Sequence, residues 1–371
     1  MAVVVRLLRS RFLRSVLRTT GPLILLLVAV MGVGVAIAPD GRGATYRLLV
    51  NFLVTVVIVV ALQMFTGNSG IVSWGHAAFV GLGAYATAWF SVPTVIKEDI
   101  FPGLPTWMMN AEWGLVPCLV VATLVGATAA AVIGLAICRM KETAMAMSTL
   151  GLLVIAHGIY SNWEGWTRGT EGVYALPTNT TIYIACGFAC LAVLLAVMFK
   201  YSRMGLRLQA SREDPLSAES SGVSVVRARY VAWVASAAMS ALGGSLWAQF
   251  NLAFGPAQFY YAQVFSVLSM LVIGGLATVS GALIGAGLTD ILFEVFRGVE
   301  NEGNLFGIKV PQISGLAQMI LAVITLLILI FRPNGLLAWW EIDGWLGKAR
   351  DRLWKGGRRA PAASVGEKGG E

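Results

Sequence analysis

RLLVNFLVTVVIVVALQMF, residues 47–65, is the stretch on which the fold turns. Between Arg47 and Phe65 only Asn51, Thr55 and Gln63 interrupt the apolar run. A helix rises 1.5 Å per residue, so a hydrocarbon core roughly 30 Å thick needs about 20 apolar residues in one continuous span. Runs of similar character recur at 22–38, 77–91, 115–138, 144–162, 180–199, 230–250, 264–278, 281–297 and 313–331. With 47–65 they predict an all-α, polytopic membrane helix bundle of about ten transmembrane helices, some short or broken at glycine-rich segments. The two runs flanking Gly281 are short enough to be read either as two spans or as one broken, re-entrant segment.

Composition agrees. The chain has 371 residues, 57% hydrophobic and 12% charged, against about a quarter charged in a soluble domain. Its 42 glycines would weaken long soluble helices, whereas in a bilayer small residues let helix backbones approach closely. Cys118, Cys138, Cys186 and Cys190 all lie in apolar stretches without a zinc-like spacing; they read as reduced core residues, and no metal or cofactor is expected.

The net charge of +8 suggests nucleic acid only until its distribution is examined. If the N-terminus is inside, every Lys and Arg falls in an inside segment except Arg42, Arg47, Lys97, Arg168, Arg297 and Lys309. That asymmetry is the excess of basic residues that cytoplasmic loops carry, and it predicts ten spans with both termini cytoplasmic. Residues 1–21 form a basic cytoplasmic N-terminus. Residues 22–38 are a retained helix rather than a secretory signal, because a second span follows within a few residues. The membrane domain covers 22–337 with a cytoplasmic loop at 203–229, and the polar, basic tail 338–371 is expected to be disordered, near anionic lipid heads.

Four segments carry candidate function. Thr66–Phe90, TGNSGIVSWGHAAFVGLGAYATAWF, places five glycines where each costs about 1 kcal/mol relative to alanine in a helix. Such backbone at membrane depth is tolerated where it is buried in protein or lines a cavity, so the segment is expected to border a pathway, with Asn68, Ser73 and His76 as its polar groups. His76 is read two ways: binding a carboxylate, or hydrogen-bonding a neighbouring helix. In Ser148–Pro177 the span's polar groups are Ser148, Thr149, His157 and Asn162, with Trp163 and Trp166 as interfacial anchors. In Arg203–Tyr230, Asp214 caps a helix starting at Pro215 and Gly222 ends it in the left-handed conformation, giving about two turns suited to docking on a cytosolic partner or to a plain solvated loop. In Leu271–Arg297, Asp290, Glu294 and Arg297 share a helical face, either as an intramembrane carboxylate site or as a salt-bridged helix end. The chain has no phosphate-binding GxxxxGK[ST] loop, no HExxH and only two histidines, so it is expected to be non-catalytic, with any ATP hydrolysed by a partner.

GNSGIVSWGHAAFVGLGAYATA, SREDPLSAESSGVSVVRARYVAWVASAAMSALGGSLWA, LVIGGLATVSGALIGAG and FRPNGLL, in that order between Thr66 and Leu337, resemble the M-type inner-membrane permeases of branched-chain amino acid ABC transporters. The resemblance implies a heteromeric importer in the inner membrane: this permease, a second H-type permease, two cytoplasmic ATP-binding subunits and a periplasmic solute-binding protein. It implies a pathway along Asn68, Ser73, His76, Thr149, His157 and Asn162, and a coupling helix in which Arg212, Glu213, Asp214, Ala218, Glu219 and Gly222 meet the ATPase. The sequence departs from the family at Val154 and His157, where Glu and Arg are common, at Thr167–Gly172 (TRGTEG) in place of a TGGxxG pattern, and at Trp74 in place of Leu. Branched-chain amino acids are therefore the default substrate, with urea, amides and aromatic acids as alternatives. An ion-driven carrier using Asp290 and Glu294, and a membrane enzyme or scaffold, are the competing classes; the first would work alone, the second would need catalytic side chains or soluble domains.

Overall fold

The computed structural model describes residues 2–37, 43–302, 304–305, 308–309, 315–332 and 335–337. The expected tail 338–371 lies outside them. The described chain is a helical bundle whose elements follow the apolar runs closely. α1 (Ala2–Ile37), α2 (Ala44–Ser69) and α3 (His76–Ser91) are followed by two short helices, α4 (Thr94–Ile100) and α5 (Thr106–Met109). Next come α6 (Leu115–Ile137), α7 (Glu142–Asn162), a single turn α8 (Glu164–Thr167), α9 (Ile182–Tyr201), α10 (Arg203–Glu213), α11 (Pro215–Ser220) and α12 (Val225–Asn251). α13 (Tyr261–Gly274), α14 (Val279–Glu302) and α15 (Leu316–Phe331) complete the bundle, and a two-residue antiparallel ladder, Asn304–Leu305 with Ile308–Lys309, sits between the last two.

Among the described residues eight helical stretches are long and apolar enough to cross a membrane, α13 counting among them together with the turn from Pro256 that precedes it, where the sequence predicts ten spans. The other two expected spans coincide with α3 and α15, each 16 residues long. α3 falls short because the glycine-rich chain before His76 is not helical: α2 stops at Gly70, whose φ of 75° is left-handed and whose N–H returns to the Thr66 carbonyl. Around Gly281 the alternative of two separate helices holds. α13 and α14 pack as a hairpin joined through Gly275, at φ 124°, and the late segment closes the turn as the Leu336 and Leu337 N–H groups donate to the Ile273 and Gly274 carbonyls. Leu336 and Leu337 of the FRPNGLL motif thus cap the end of α13.

α2 is the axial helix. Every residue from Val56 to Ser69 is buried, which explains why its run is apolar on all faces instead of on one stripe. It lies among α9, α12 and α14. α12 also packs along α3 and α6, and there the backbones nearly touch. A methyl at Gly83 would collide with the Ala241 carbonyl, and one at Gly244 with the Val80 carbonyl. In a bilayer, where lipid tails are as apolar as leucine, close van der Waals contact of this kind is a main source of helix association.

Beyond the C-terminal end of α3, α4 and α5 form a cap. Lys97, fully buried, donates from Nζ to the Met108 carbonyl at 3.3 Å and to the Ala111 carbonyl. Burial pulls its pKa down, with the Glu112 carboxylate opposing that shift. All four cysteines are free, three of them buried.

Gly244→Leu and Gly83→Val are expected to lower the unfolding midpoint in detergent by the equivalent of about 1–3 kcal/mol through overpacking. Gly187→Ala, whose added methyl meets nothing within 4 Å, should shift it by less than about 0.5 kcal/mol. Equal effects at the three positions, read by size-exclusion melting curves, would refute the crossing as the critical contact.

Candidate functional site

Two regions gather the polar and aromatic side chains. The first is the turn from Gly70 to Gly75 with the helices around it. His76, at the start of α3, is buried and fully partnered: its Nδ1 lies 2.7 Å from Ser73 Oγ and its Nε2 2.8 Å from Ser236 Oγ on α12. Ser236 donates its own hydroxyl proton to the Trp233 carbonyl, so it accepts from His76 Nε2–H, and Nδ1 then accepts from Ser73. Phe65, Phe79 and Trp233 surround the ring at 5.2–6.4 Å between centroids. The structure therefore favours the bridging reading of His76 over the carboxylate-binding one.

Thr149 on α7 is fully buried; its Oγ1 accepts from the Trp74 N–H at 3.2 Å and donates to the Ala146 carbonyl. α7 is thereby fixed to the turn. Trp74 and Ser73 border a crevice with room for about one water between α2, α3 and α13, together with Gln263, Ile58 and Leu62. Above it runs a strip of rings. Trp74 meets Phe265 edge-on at 5.5 Å, Phe265 neighbours Tyr261 at 6.5 Å, Tyr261 contacts Tyr260 at 4.1 Å, and Tyr260 stacks on His157 at 4.0 Å with 14° between planes. His157 is half-buried and its Nδ1 has no hydrogen-bond partner. Asn162, at the end of α7, is exposed and donates to the Gly158 carbonyl.

Asn68 does not join this group, although the sequence reading sets it beside Ser73 and His76. It belongs to the second region, where α10 meets the end of α2. Its Oδ1 accepts from Gln209 Nε2 at 3.0 Å and its Nδ2 donates to the Met64 carbonyl. Arg212 Nη1 donates to the Gly67 carbonyl at 2.9 Å, and Lys200 Nζ to the Ala277 carbonyl in the α13–α14 turn at 2.9 Å. These groups surround a cavity of about 230 Å³ with Glu213 and Thr278 on its wall. The left-handed Gly70 displaces Asn68 from Ser73 by reversing the chain between them.

α11 follows directly. Asp214 accepts from the Leu216 N–H at 2.9 Å and from the Ser217 hydroxyl at 2.5 Å, Pro215 takes the first helical position, and Gly222 at φ 78° ends the turn, its N–H bonded to the Glu219 carbonyl. The helix has the start and stop that the sequence predicts. The Ser217 hydroxyl is the main influence holding the Asp214 carboxyl below its usual pKa. A depressed carboxylate keeps its contribution above its unfolded value and loses it only as pH falls through the folded one, so this cap persists throughout the neutral range. Ala218 is buried beneath the helix, while Glu213, Asp214, Glu219 and Gly222 are exposed and Leu216 projects at 78% exposure.

Sequence reasoning missed three contacts. Arg229, one of the arginines flanking the short helix in the 203–230 loop, is buried and pairs through Nη2 with Glu142 Oε1 at 2.6 Å. Tyr160 donates to the Ala78 carbonyl at 2.8 Å, and Ser236 holds His76. None has a local signature, since each pairs residues more than 80 positions apart. Conversely, Asp290, Glu294 and Arg297 form no ion pair with one another among the described residues, so the salt-bridged helix end is absent. Asp290 Oδ2 is buried without a hydrogen-bond partner.

A multi-pass membrane bundle with a capped helix projecting from one inter-span loop, and without a nucleotide-binding loop, has the form of a transport permease. The chain matches the family of permease components of branched-chain amino acid transport systems over residues 44–331, and it belongs to that family. It is 24% identical to the high-affinity branched-chain amino acid transport system permease protein LivM of Salmonella typhimurium, over 90% of this chain and 82% of the relative. It is 23% identical to the LivH permease protein of Escherichia coli, over 81% of this chain and 94% of the relative. A nucleoside ABC transporter permease protein, NupC of Lactococcus lactis, is 24% identical over 72% of this chain and 84% of its own length. No solved structure matches.

His76→Ala is expected to lower the unfolding midpoint by the equivalent of about 2 kcal/mol, since it removes two buried hydrogen bonds and leaves the Ser73 hydroxyl without its acceptor, while Ser236 keeps its bond to the Trp233 carbonyl. It should leave the relative uptake of competing solutes unchanged. An altered uptake ratio at unaltered stability would return His76 to the pathway.

Proposed function

We propose that the chain is one of two permease subunits of an ATP-driven importer and supplies half of the translocation pathway. The carrying observation is α11. It is a six-residue helix closed at both ends, displaying one bare leucine, Leu216, between the carboxylates of Glu213 and Glu219. An exposed apolar side chain on a rigid, charged mount fits a socket in a cytosolic partner: an ATP-binding subunit with an apolar groove and a basic rim. In this reading Arg212, Glu213, Asp214, Ala218, Glu219 and Gly222 form the coupling element, two such ATPases power the cycle, and a periplasmic binding protein delivers the solute. Both termini are cytoplasmic, following the distribution of Lys and Arg. The second permease is a related H-type chain, and the solute is a branched-chain or related amino acid, with urea, amides or aromatic acids as alternatives.

The pathway runs along the turn at Ser73 and Trp74 and the α7 side chains Thr149, His157 and Asn162. His76 and Asn68 support it from behind and below. The rival, an ion-driven carrier, draws on the unpaired Asp290 Oδ2 with Glu294 one turn further on.

The test begins with tagged protein purified from its host in mild detergent. ATP-binding subunits and a second permease are expected at fixed stoichiometry; a chain that purifies alone and transports in liposomes without ATP would establish the carrier instead. Leu216→Asp should weaken the ATPase association about 10- to 100-fold, from the loss of a buried leucine contact, with membrane insertion unchanged. Undiminished co-purification would remove α11 from the interface.

A further inference from the structure

The clamp that grips the end of α2 also encloses space. The cavity of about 230 Å³ lies among the last turn of α2, the end of α9, α10 and the α13–α14 turn. Its wall carries two cations, Lys200 and Arg212, one carboxylate, Glu213, and the uncharged polar groups of Asn68, Gln209 and Thr278. Asn68 and Thr278 are buried, and Lys200, Gln209 and Arg212 are half-buried. Both cations donate to backbone carbonyls, of Ala277 and Gly67, so the fold fixes where they stand. A surface turned to lipid carries no such set of charges.

A second observation points to the same place. Gln63, one turn before Gly67 on α2, is wholly buried, and neither its Oε1 nor its Nε2 has a hydrogen-bond partner among the described residues. A methyl at Gly67, itself on the cavity wall, would lie 2.7 Å from Gln63 Nε2. Because Gly67 has no side chain, nothing of its own screens that amide from the cavity. Buried side-chain amides almost always have partners, so an unpaired one beside a cavity is a donor and acceptor held for a guest. The volume suits a small organic solute, since about 150 Å³ already admits benzene. Charge narrows the choice further. A phosphate would meet Glu213 and a simple cation would meet Lys200 and Arg212, whereas a zwitterion answers both: its carboxylate pairs with the two cations and its ammonium with Glu213.

Resting on the permease reading above, we propose that this cavity binds one free neutral amino acid from the side on which α11 docks, and that the bound zwitterion slows the transport cycle. The guest bridges α10, through Arg212 and Glu213, to the end of α9 at Lys200 and to the α13–α14 turn at Thr278. It thereby ties together the elements that a motion of α11 relative to α2 must displace. A ligand that binds one arrangement of these elements better than the other shifts the population toward it. Solute that accumulates inside then restrains further import at the coupling element itself. Recognition falls on the carboxylate and ammonium common to amino acids, so the side group is only weakly discriminated.

The test uses the complete tagged complex in lipid nanodiscs, without the binding protein, and reads both the binding of tritiated leucine and the rate of ATP hydrolysis as leucine is added. Leucine is expected to bind and to lower hydrolysis about fivefold, the low end of ordinary coupling between sites. Lys200→Gln should weaken leucine binding about 10- to 100-fold, the worth of one charge-assisted contact, and remove the inhibition. Lys200→Arg keeps the charge and should bind within about fivefold of the unaltered complex. Leucinol, which lacks the carboxylate, and 4-methylpentanoate, which lacks the ammonium, should each compete at least about tenfold more weakly than leucine. That comparison needs no variant and decides the zwitterion even where Lys200→Gln fails to assemble. No leucine binding, or equal binding by the Lys200→Gln complex, would overturn the site, and equal competition by 4-methylpentanoate would reduce it to an anion site. Lys200-dependent binding with unchanged hydrolysis would overturn the brake. A chain that purifies without ATP-binding subunits overturns the permease reading, and the brake with it, while Lys200-dependent leucine binding to that chain still reports on the site.

Discussion

The near-contact of the α3 and α12 backbones at Gly83, Ala241, Val80 and Gly244 is the constraint on which the remaining structure depends. In water a leucine on either helix would gain stability by leaving solvent, but in a bilayer it would only exchange lipid for protein. Association must therefore come from fit, and fit at this crossing requires residues with almost no side chain. The crossing sets the distance at which His76, at the start of α3, reaches Ser236 on α12. It also holds α6 against the far side of α12, where Gly126 faces the Ala241 methyl. Once these three helices are fixed, the non-helical turn ahead of His76 has one place to lie, with Trp74 against Thr149.

The same geometry links the loop carrying α10 and α11 to the turn. α2 ends at Gly70, and two side chains of a single helix, α10, grip that end: Gln209 at Asn68 and Arg212 at Gly67. α10 passes straight into α11 through Asp214. The path from Leu216 to Trp74 therefore consists of one short helix, one hydrogen-bonded clamp and five residues of turn. The clamp satisfies the Gly67 carbonyl, one of those a helix leaves unpaired at its C-terminus, and holds the Asn68 side-chain amide beside it. In the coupling role proposed for α11, a force on it would reach a point where the chain is already irregular and has little helical hydrogen bonding to break. An intact helix running from 66 to 90 would have resisted the same motion over its whole length.

Helices were legible in the sequence because length and apolarity are nearly sufficient in a bilayer. The Asp214, Pro215 and Gly222 signature was legible as well, since caps and left-handed stops are local chemistry. What escaped was pairing across the chain. Arg229 looked like one more cytoplasmic cation, yet burial against Glu142 makes it a tie between α12 and the α6–α7 connection. Asn68 was grouped with Ser73 by sequence distance, and one residue with φ of 75° separated them. The expected span at 77–91 coincides with α3, which at 16 residues is shorter than the eight long apolar stretches because the glycine-rich chain before it leaves the helix. The aromatic strip draws its members from residues 74, 157 and 260–265, and no periodicity connects them.

Absence of fixed charge along that strip is an energetic requirement as much as a chemical one. A conformational cycle moves solute only through differential affinity between its states. A strongly charged pocket in the membrane interior would hold a zwitterion's carboxylate or ammonium in every state, because low dielectric magnifies such pairs. Release would then demand that the protein break the pair at each turnover. Ring faces and hydroxyls bind more weakly than a fixed charge does. Tight recognition, which needs enclosure and charge, is better placed outside the membrane on a separate binding protein. In the importer proposed above, that recognition falls to the binding protein, and the clamp at Gly67 and Asn68 ties the end of α2 to α10.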